Sequence, residues 1–232
     1  MQGGVSPAAQ LPLLPPWDPS EWIASDDTVR GGSSHSHLSV LAGDNKAADD
    51  SRAADDSNSK VDADSNEDGD GADIDPGPGS TPPPASTARF HGHLDTHTLG
   101  GAGFASQHTR APLALDLSRY HAGVCVSVVR ADAKRYALTL RDRQGPDDAV
   151  SWEADFVVGG GGGNGNGSSS VRDVRLPWSA FEATYRGRRC GNAGRPLDVA
   201  SIRRVGIMMR SFFGEQEGDF DIEIAAISAE GK

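Results

Sequence analysis

The chain has 232 residues, enough for one large all-β domain or two small domains. Its formal net charge is −11, from 22 Lys and Arg against 33 Asp and Glu, and this balance disfavours a nucleic-acid partner because like charges repel. The sequence contains no uninterrupted apolar run of about 18 residues, so we expect no transmembrane segment.

The negative charge is concentrated in residues 43–88, which hold twelve acids and three bases, whereas the rest of the chain holds 21 acids and 19 bases. This segment is rich in Asp, Ala, Ser, Gly and Pro, and its large aliphatic residues are Val61 and Ile74. Such a composition buries too little apolar surface to offset the loss of chain entropy, which predicts a disordered acidic insertion. We also predict a flexible N-terminus over 1–16 and a Gly/Asn/Ser-rich loop over 159–170.

Outside these segments the sequence has the period-two alternation of half-buried strands. Strands are predicted at 36–41 and 88–94, on either side of the insertion, and then at 136–141, 152–158, 201–210 and 219–224. The alternating apolar residues include Tyr136, Leu138 and Leu140, Trp152, Ala154, Phe156 and Val158, and Phe220, Ile222 and Ile224. About nine or ten such strands, with one helical turn at 177–181, predict an all-β antiparallel β-sandwich.

The two cysteines favour a reducing compartment. Cys125 lies in an apolar strand, where a small buried side chain is expected, and Cys190 lies in a Gly/Arg-rich loop. Residues 1–29 contain no Lys or Arg, so neither a secretory signal nor a mitochondrial presequence is expected there.

Taken in order, several motifs resemble those of the complex I intermediate-associated protein 30 family. They are WIASDDTVRGGSS at 22–34, FHGHL at 90–94, GGAGFAS at 100–106, LDLSRYHAG at 115–123, YALTLR at 136–141, LPWSAF at 176–181, and the segments 202–208 and 220–227. The resemblance extends over 17–229, interrupted by the acidic insertion, and so predicts a single domain over that range.

The resemblance implies a galactose-binding-like jelly roll and a chaperone-like, non-catalytic role in assembling mitochondrial respiratory complex I. It therefore implies assembly intermediates as protein partners, no cofactor, and a mitochondrial location. The cytoplasm is the alternative location, because no presequence is visible. Some relatives of the domain act elsewhere, including in organelle gene expression.

Two polar segments are candidates for partner binding. The first is a turn in which Gly supplies unusual φ and Asp or Ser caps backbone N–H groups; it either serves only as a turn or also contacts a partner at the rim of the sandwich. The second is an Arg-rich stretch, which is either a solvated face or a surface for an anionic partner. The candidate residues are Asp26, Asp27, Arg30, Gly31, Gly32 and Ser33 in the first segment, and Arg186, Arg188 and Arg189 in the second.

Two patterns resemble metal sites, but we expect no metal. His35 and His37 alternate on one strand and His91 and His93 on another, so four imidazoles would converge if the two strands pair. Exposed strand faces often carry His, however, and no Cys or carboxylate completes a motif. Residues 64–75 follow a calcium-loop pattern but lack the flanking helices that such a loop needs.

Two other functions are weighed against protein binding. A carbohydrate-binding module predicts exposed aromatic residues at the loops, whereas Trp152, Phe156 and Phe220 fall at core positions. An enzyme, with the histidines holding a metal, lacks positive support: the Gly run at 159–163 has no Lys-Ser/Thr ending, and no Gly-x-Ser-x-Gly elbow occurs. Protein binding is therefore favoured.

Overall fold

The computed structural model describes residues 10–14, 17–42, 86–144, 150–159, 171–185, 187–190 and 195–231. Over these ranges the chain forms thirteen β-strands and four 3-10 turns, arranged as two antiparallel sheets. The predicted fold class, an all-β antiparallel sandwich, is confirmed.

The thirteen strands are spread over all the described ranges of the chain. They are β1 (Gln10–Pro12), β2 (Trp22–Ala24), β3 (His35–Leu41), β4 (Thr87–Leu94), β5 (Phe104–Thr109), β6 (Gly123–Ala131), β7 (Arg135–Arg141), β8 (Val150–Val157), β9 (Arg172–Leu176), β10 (Glu182–Tyr185), β11 (Arg188–Arg189), β12 (Arg204–Arg210) and β13 (Gly218–Glu230). The 3-10 turns are Pro19–Glu21, Asp27–Arg30, Trp178–Ala180 and Val199–Ser201. The helical turn predicted at 177–181 corresponds to the third of them.

Sheet I has six strands in the order β3-β4-β13-β6-β9, with β1 paired to the C-terminal part of β13. Sheet II has seven strands in the order β11-β10-β8-β7-β12-β5-β2. Consecutive strands often belong to different sheets, so the chain crosses repeatedly between the two layers. Residues far apart in sequence therefore become neighbours on one face.

The core lies between the two sheets and is made by the alternating residues that the sequence indicates. Tyr136, Leu138 and Leu140 of β7 are fully buried, as is Ile222 of β13. Strand β7 and the first half of β13 thus turn one apolar row inward, and the opposite row is available for the outer surface of each sheet. Cys125, predicted to be buried, is fully inaccessible.

The structure differs from the sequence prediction at two boundaries. Strand β1 lies inside 1–16, the range predicted as a flexible N-terminus; Leu13 is buried, and its N–H donates to the carbonyl of Ile227 at 2.9 Å. Strand β4 begins at Thr87, inside 43–88, because Ala88 is buried and pairs with Ile224 of β13. Strand β1, with only three residues, is too short to leave a period in the sequence.

Several sequence predictions fall outside the described residues. They concern most of the acidic insertion, the calcium-loop pattern at 64–75, the glycine-rich loop beyond Gly159, and Arg186. In the part of the chain that the structure describes, no helix has the length and apolar character needed to cross a membrane.

Candidate functional site

A groove with a volume of about 920 Å³ lies on the outer face of sheet II, turned away from the core. Side chains of β5, β12, β7, β8 and β10 form its floor, and the turns after β10 and β12 border it. The alternation of side chains explains how one strand serves both faces: β7 buries Leu138 in the core and presents Thr139 to the groove.

An ion-pair network occupies the floor of this groove. Arg210 donates from Nη1 to Glu153 Oε2 at 2.6 Å, and from Nη2 to the two carboxylate oxygens of Asp155 at 2.6 and 2.7 Å. The other oxygen of Glu153 accepts a hydrogen bond from Thr184 Oγ1 at 2.6 Å. Charge-assisted bonds to two carboxylates hold the guanidinium in one orientation. They also tie β12 to β8 across the intervening strand β7.

Glu153 is the most deeply buried carboxylate of the groove, with 7% of its surface exposed. Burial raises its pKa above the ordinary value, while the hydrogen bond from Thr184 and the charge of Arg210 act in the opposite direction. Thr184 and Arg210 therefore favour the charged form of Glu153, and the four side chains form one connected network on the floor of the groove.

Phe212 and Phe213 form an aromatic rim along one side of the groove. Their φ angles are 48° and 61°, a left-handed conformation that costs about 1–2 kcal/mol for each residue with a Cβ. The guanidinium of Arg135 lies 3.4 Å from the ring centroid of Phe212, and that of Arg210 lies 4.5 Å from it. Phe213 is 82% exposed. Backbone strain that displays a large apolar side chain to solvent is typical of a binding surface.

The strained rim is held in place by polar side chains on both sides. Gln216 accepts from the N–H of Arg135 at 3.0 Å, and it donates to the carbonyl oxygens of Arg135 at 2.8 Å and Arg210 at 2.7 Å. Ser211 donates from its N–H to Gly103 and from its hydroxyl to Gly101, both at 2.9 Å. The display of Phe213 is therefore built into the fold.

The groove is positively charged although the chain as a whole is negative. Of the described residues that line it, seven are arginines and three are carboxylates, a formal charge of +4. The arginines are Arg30, Arg135, Arg141, Arg188, Arg189, Arg204 and Arg210, and the acids are Glu153, Asp155 and Glu215. A concentrated field of this sign attracts negatively charged ligands.

The two aspartates proposed for partner binding lie behind the groove and tie the sheets together. Asp27 is fully buried and accepts from the N–H groups of Ser34 at 3.0 Å and Phe104 at 3.2 Å. Asp26 accepts from the N–H groups of Ser36 at 3.0 Å and Ser106 at 2.9 Å. The turn role predicted for them is therefore seen, and their contact with a partner stays a prediction.

The rest of this turn reaches the groove at Arg30, whose guanidinium lies 5.5 Å above the ring of Phe104. Gly31 has a φ of 82°, which a residue with a Cβ rarely adopts. At Gly32 a Cβ would lie 2.2 Å from Asp27 Oδ1, so only glycine fits against the buried carboxylate. The hydroxyl of Ser33 lies 3.1 Å from that of Thr98.

Arg188 and Arg189, predicted from the Arg-rich stretch, also line the groove. They form β11 at the edge of sheet II, and Arg189 pairs with Glu182 of β10 at 2.7 Å. The structure thus brings Arg30, Arg188 and Arg189 to one surface.

The four histidines predicted to converge if their strands pair share the outer face of sheet I. His35 stands opposite His93 and His37 opposite His91, with ring centroids 6.0 and 5.6 Å apart. Burial, followed by the charges of Arg89 and His37, lowers the pKa of His91. Among the residues that the structure describes, no three His, Cys, Asp or Glu side chains are placed to hold a metal ion.

Four residues that give the groove its character were not among those predicted from the sequence, namely Arg210, Glu153, Phe212 and Phe213. Arg210 ends an alternating strand, and Glu153 lies 57 residues before it, so neither position signals an ion pair. The Phe-Phe-Gly sequence at 212–214 was the available signal, because two aromatic residues in a short polar turn have no strand to bury them.

The sequence profile of the complex I intermediate-associated protein 30 family matches residues 15–224, most of the chain. The chain belongs to this family. An uncharacterised protein of Schizosaccharomyces pombe is 31% identical over 219 residues, which cover 92% of this chain and 79% of that protein. The resemblance drawn from the motifs is therefore confirmed.

Two solved structures with the same fold are family 11 carbohydrate-binding modules. A family 11 module from Clostridium thermocellum, in complex with a β-1,3-1,4-mixed-linked tetrasaccharide, superposes with a TM-score of 0.52 at 14% identity over 97% of this chain and 98% of the module. The family 11 module of the cellulase Lic26A-Cel5E of the same organism gives a TM-score of 0.50 at 12% identity over 98% and 97%. At such low identity the likeness shows the jelly-roll fold alone.

Proposed function

We propose that this member of the complex I intermediate-associated protein 30 family is a non-catalytic, chaperone-like assembly factor. It binds assembly intermediates of mitochondrial respiratory complex I, the NADH:ubiquinone oxidoreductase, in the groove of sheet II. The family's name supports the assembly role. The observation that carries the choice of surface is Phe213, 82% exposed on a strained and fixed turn beside a cationic groove.

The chemistry of the groove suits a protein partner. Arginine and aromatic side chains are enriched at protein interfaces and contribute most of the binding energy there. Here the ring of Phe212 stands beside the guanidinium groups of Arg135 and Arg210, and the exposed ring of Phe213 follows it in the same turn. A rigid site loses little entropy when it binds. Such a site holds a polypeptide segment without needing a reactive group.

The partner-binding residues proposed from the sequence are consistent with this surface. Arg30, Arg188 and Arg189 border the groove, and the turn formed by Asp26 and Asp27 supports the strand β5 that lines it. We place the protein in mitochondria on the strength of its family, with the cytoplasm as the alternative.

The experiment is immunocapture of the tagged full chain from mitochondrial and cytosolic fractions, with mass spectrometry of the recovered proteins. We expect subunits of NADH:ubiquinone oxidoreductase from the mitochondrial fraction with the wild type. Phe213→Ser removes the exposed ring and should abolish recovery. The matched control is Val171→Ser, a change at another exposed apolar residue, 50% exposed beside β9 of sheet I, which should leave recovery intact.

The immunocapture results test the assembly role and the choice of binding surface independently. If no subunit of the oxidoreductase is recovered with the wild type, the assembly role is wrong. If both variants recover the subunits equally, the assembly role stands and the groove is not the binding surface.

A carbohydrate ligand is the second candidate, favoured by the same exposed ring of Phe213, since an aromatic face stacks on the apolar face of a sugar. The fold is shared with a module solved in complex with a mixed-linked tetrasaccharide. Calorimetric titration with that tetrasaccharide tests it. Binding that is lost in Phe213→Ser would favour a sugar ligand, and the absence of heat would remove this candidate.

A further inference from the structure

Three basic side chains meet at one end of the groove, on three adjacent strands. Arg204 of β12 stands directly opposite Arg141 of β7, and Gly206 of β12 stands opposite His108 of β5. Arg204 is thus the diagonal neighbour of His108, at a spacing of about 7–8 Å between strands. All three side chains line the groove.

This juxtaposition is unfavourable for the folded protein by itself. Like charges directly opposite each other on paired strands repel. Burial, followed by the charge of Arg141, lowers the pKa of Arg204, which is the signature of a cation without enough counter-charge. Within the described ranges neither arginine forms an ion pair with a carboxylate, whereas Arg210 and Arg135 in the same groove do.

The carboxylate of Glu153 on the floor of the groove already has hydrogen-bond partners. Glu153 lies within electrostatic range of Arg141, but its two oxygens accept from Thr184 and Arg210. Among the residues that the structure describes, the network on the floor therefore leaves Arg141 and Arg204 without a carboxylate paired to them.

We infer that Arg141, Arg204 and His108 form an anion subsite that receives a carboxylate side chain of the protein partner. The inference rests on the proposed function in one respect, namely that the occupant of the groove is a protein. Two guanidinium groups supply charge-assisted donors, which suit the two oxygens of a carboxylate. An acidic segment is also the partner that a groove of this charge attracts.

The strands on either side of these residues approach closely at Gly206, where a side chain would not fit. A Cβ at this position would lie 2.6 Å from Thr139 Oγ1, 2.8 Å from the carbonyl oxygen of Gln107 and 3.1 Å from the Cβ of His108. Glycine at 206 therefore lets Thr139 of β7 and His108 of β5 lie close to β12, which keeps the basic side chains of the three strands near one another.

His108 gives the subsite a measurable proton linkage. Its Nδ1 lies 3.1 Å from the carbonyl oxygen of Thr109, an acceptor, so Nδ1 donates and Nε2 is the atom that gains a proton. Burial lowers the pKa of His108, and the charges of Arg204 and Arg141 lower it further. A bound carboxylate offsets those charges, so binding raises the pKa of His108. At a pH between the pKa values of the free and the bound protein, binding is therefore accompanied by the uptake of a proton.

The test is a side-chain NMR titration of the full chain with acetyl-triglutamate amide, with the triglutamine peptide and inorganic phosphate as parallel arms at equal ionic strength. We expect the acidic peptide to shift the Nε–H signals of Arg141 and Arg204 and to raise the pKa of His108. Arg204→Gln should weaken binding about tenfold or more, as expected when a hydrogen bond to a charged group is lost. Arg130→Gln is the control, since Arg130 lies on sheet I and pairs with Glu223.

Stability is the second readout, because a structural role would show itself there. Removing one of two repelling charges should leave the urea midpoint of Arg204→Gln equal to or above that of the wild type. Unchanged peptide binding with a lower midpoint would overturn the inference. A response to phosphate but not to the acidic peptide would also overturn it.

Peptide binding and immunocapture together distinguish a wrong subsite from a wrong assembly role. If the acidic peptide binds and no oxidoreductase subunit is recovered by immunocapture, the subsite stands and the assigned partner is wrong. If subunits are recovered and the acidic peptide does not bind, the subsite is wrong and the assembly role stands.

Discussion

Replacing Arg210 by methionine tests whether the ion-pair network supports the floor of the groove. The side chains of Arg210 and Glu153 are only 17% and 6% exposed, so water does not replace the lost charge. Removing one partner of a buried pair costs about 3–5 kcal/mol, since it leaves the other charge unpaired. This is a large share of the roughly 5–15 kcal/mol that stabilises a typical domain, so we expect a folded but weakened protein.

The pH dependence of the stability loss in Arg210→Met shows how much of that loss is due to Glu153. The pKa of Glu153 is raised in the folded state, so the folded protein binds its proton more readily than the unfolded chain. The contribution of Glu153 to stability therefore falls as the pH rises from its ordinary pKa through the raised value. Without Arg210 the pKa of Glu153 rises further, so the loss caused by Arg210→Met should be smaller near about pH 4 than near pH 7, and the remaining loss comes from the bonds that Arg210 makes to Asp155.

The assay is urea unfolding of the wild type and Arg210→Met across this pH range. Arg189→Met is the matched control, because its pair with Glu182 is 67% and 49% exposed and should contribute less than about 1 kcal/mol. Adding Glu153→Gln to Arg210→Met should restore part of the loss, since a neutral amide needs no counter-charge. A loss below about 1 kcal/mol, or one independent of pH, would refute the reasoning.

Three further predictions follow from buried groups. Asp27→Ala should lower the free energy of unfolding by about 2–6 kcal/mol, at about 1–3 kcal/mol for each of the two backbone N–H groups left unpaired, and thermal unfolding showing no change would contradict this. Burial raises the pKa of Tyr136, so the alkaline difference spectrum of the native protein should be the same for the wild type and Tyr136→Phe. Burial, then the charges of Asp173 and Glu230, raises the pKa of Cys125 to about 11. A thiol reagent at neutral pH should therefore modify Cys125 slowly, at the rate at which the protein unfolds, and this slow reaction should be absent from Cys125→Ala.

The sandwich itself was predictable from sequence because its information is local. Tyr136, Leu138 and Leu140 alternate with polar residues, and the strand that they predict has those three side chains buried. The proximity of the histidines was predictable only on the condition that their two strands pair. His35 and His37 lie opposite His93 and His91 because β3 pairs with β4. Alternation gives the face of a side chain, whereas its neighbours depend on strand order.

The groove could not be predicted in the same way. Arg210 and Glu153 belong to strands separated by β7, and nothing in either sequence segment specifies that order. Phe212 and Phe213 project because their φ angles are positive, which the surrounding hydrogen bonds to Gln216 and Ser211 impose. Long-range contacts therefore create the site, and local periodicity cannot report them.

Photo-crosslinking from the rim of the groove tests the central claim most directly. The full chain carries p-benzoylphenylalanine at Phe213 or, as the control, at Val171 beside sheet I, and is irradiated in intact mitochondria. The account predicts crosslinks from position 213, and none from position 171, to subunits of NADH:ubiquinone oxidoreductase. No crosslink to these subunits from position 213, or equal crosslinking from both positions, would contradict it.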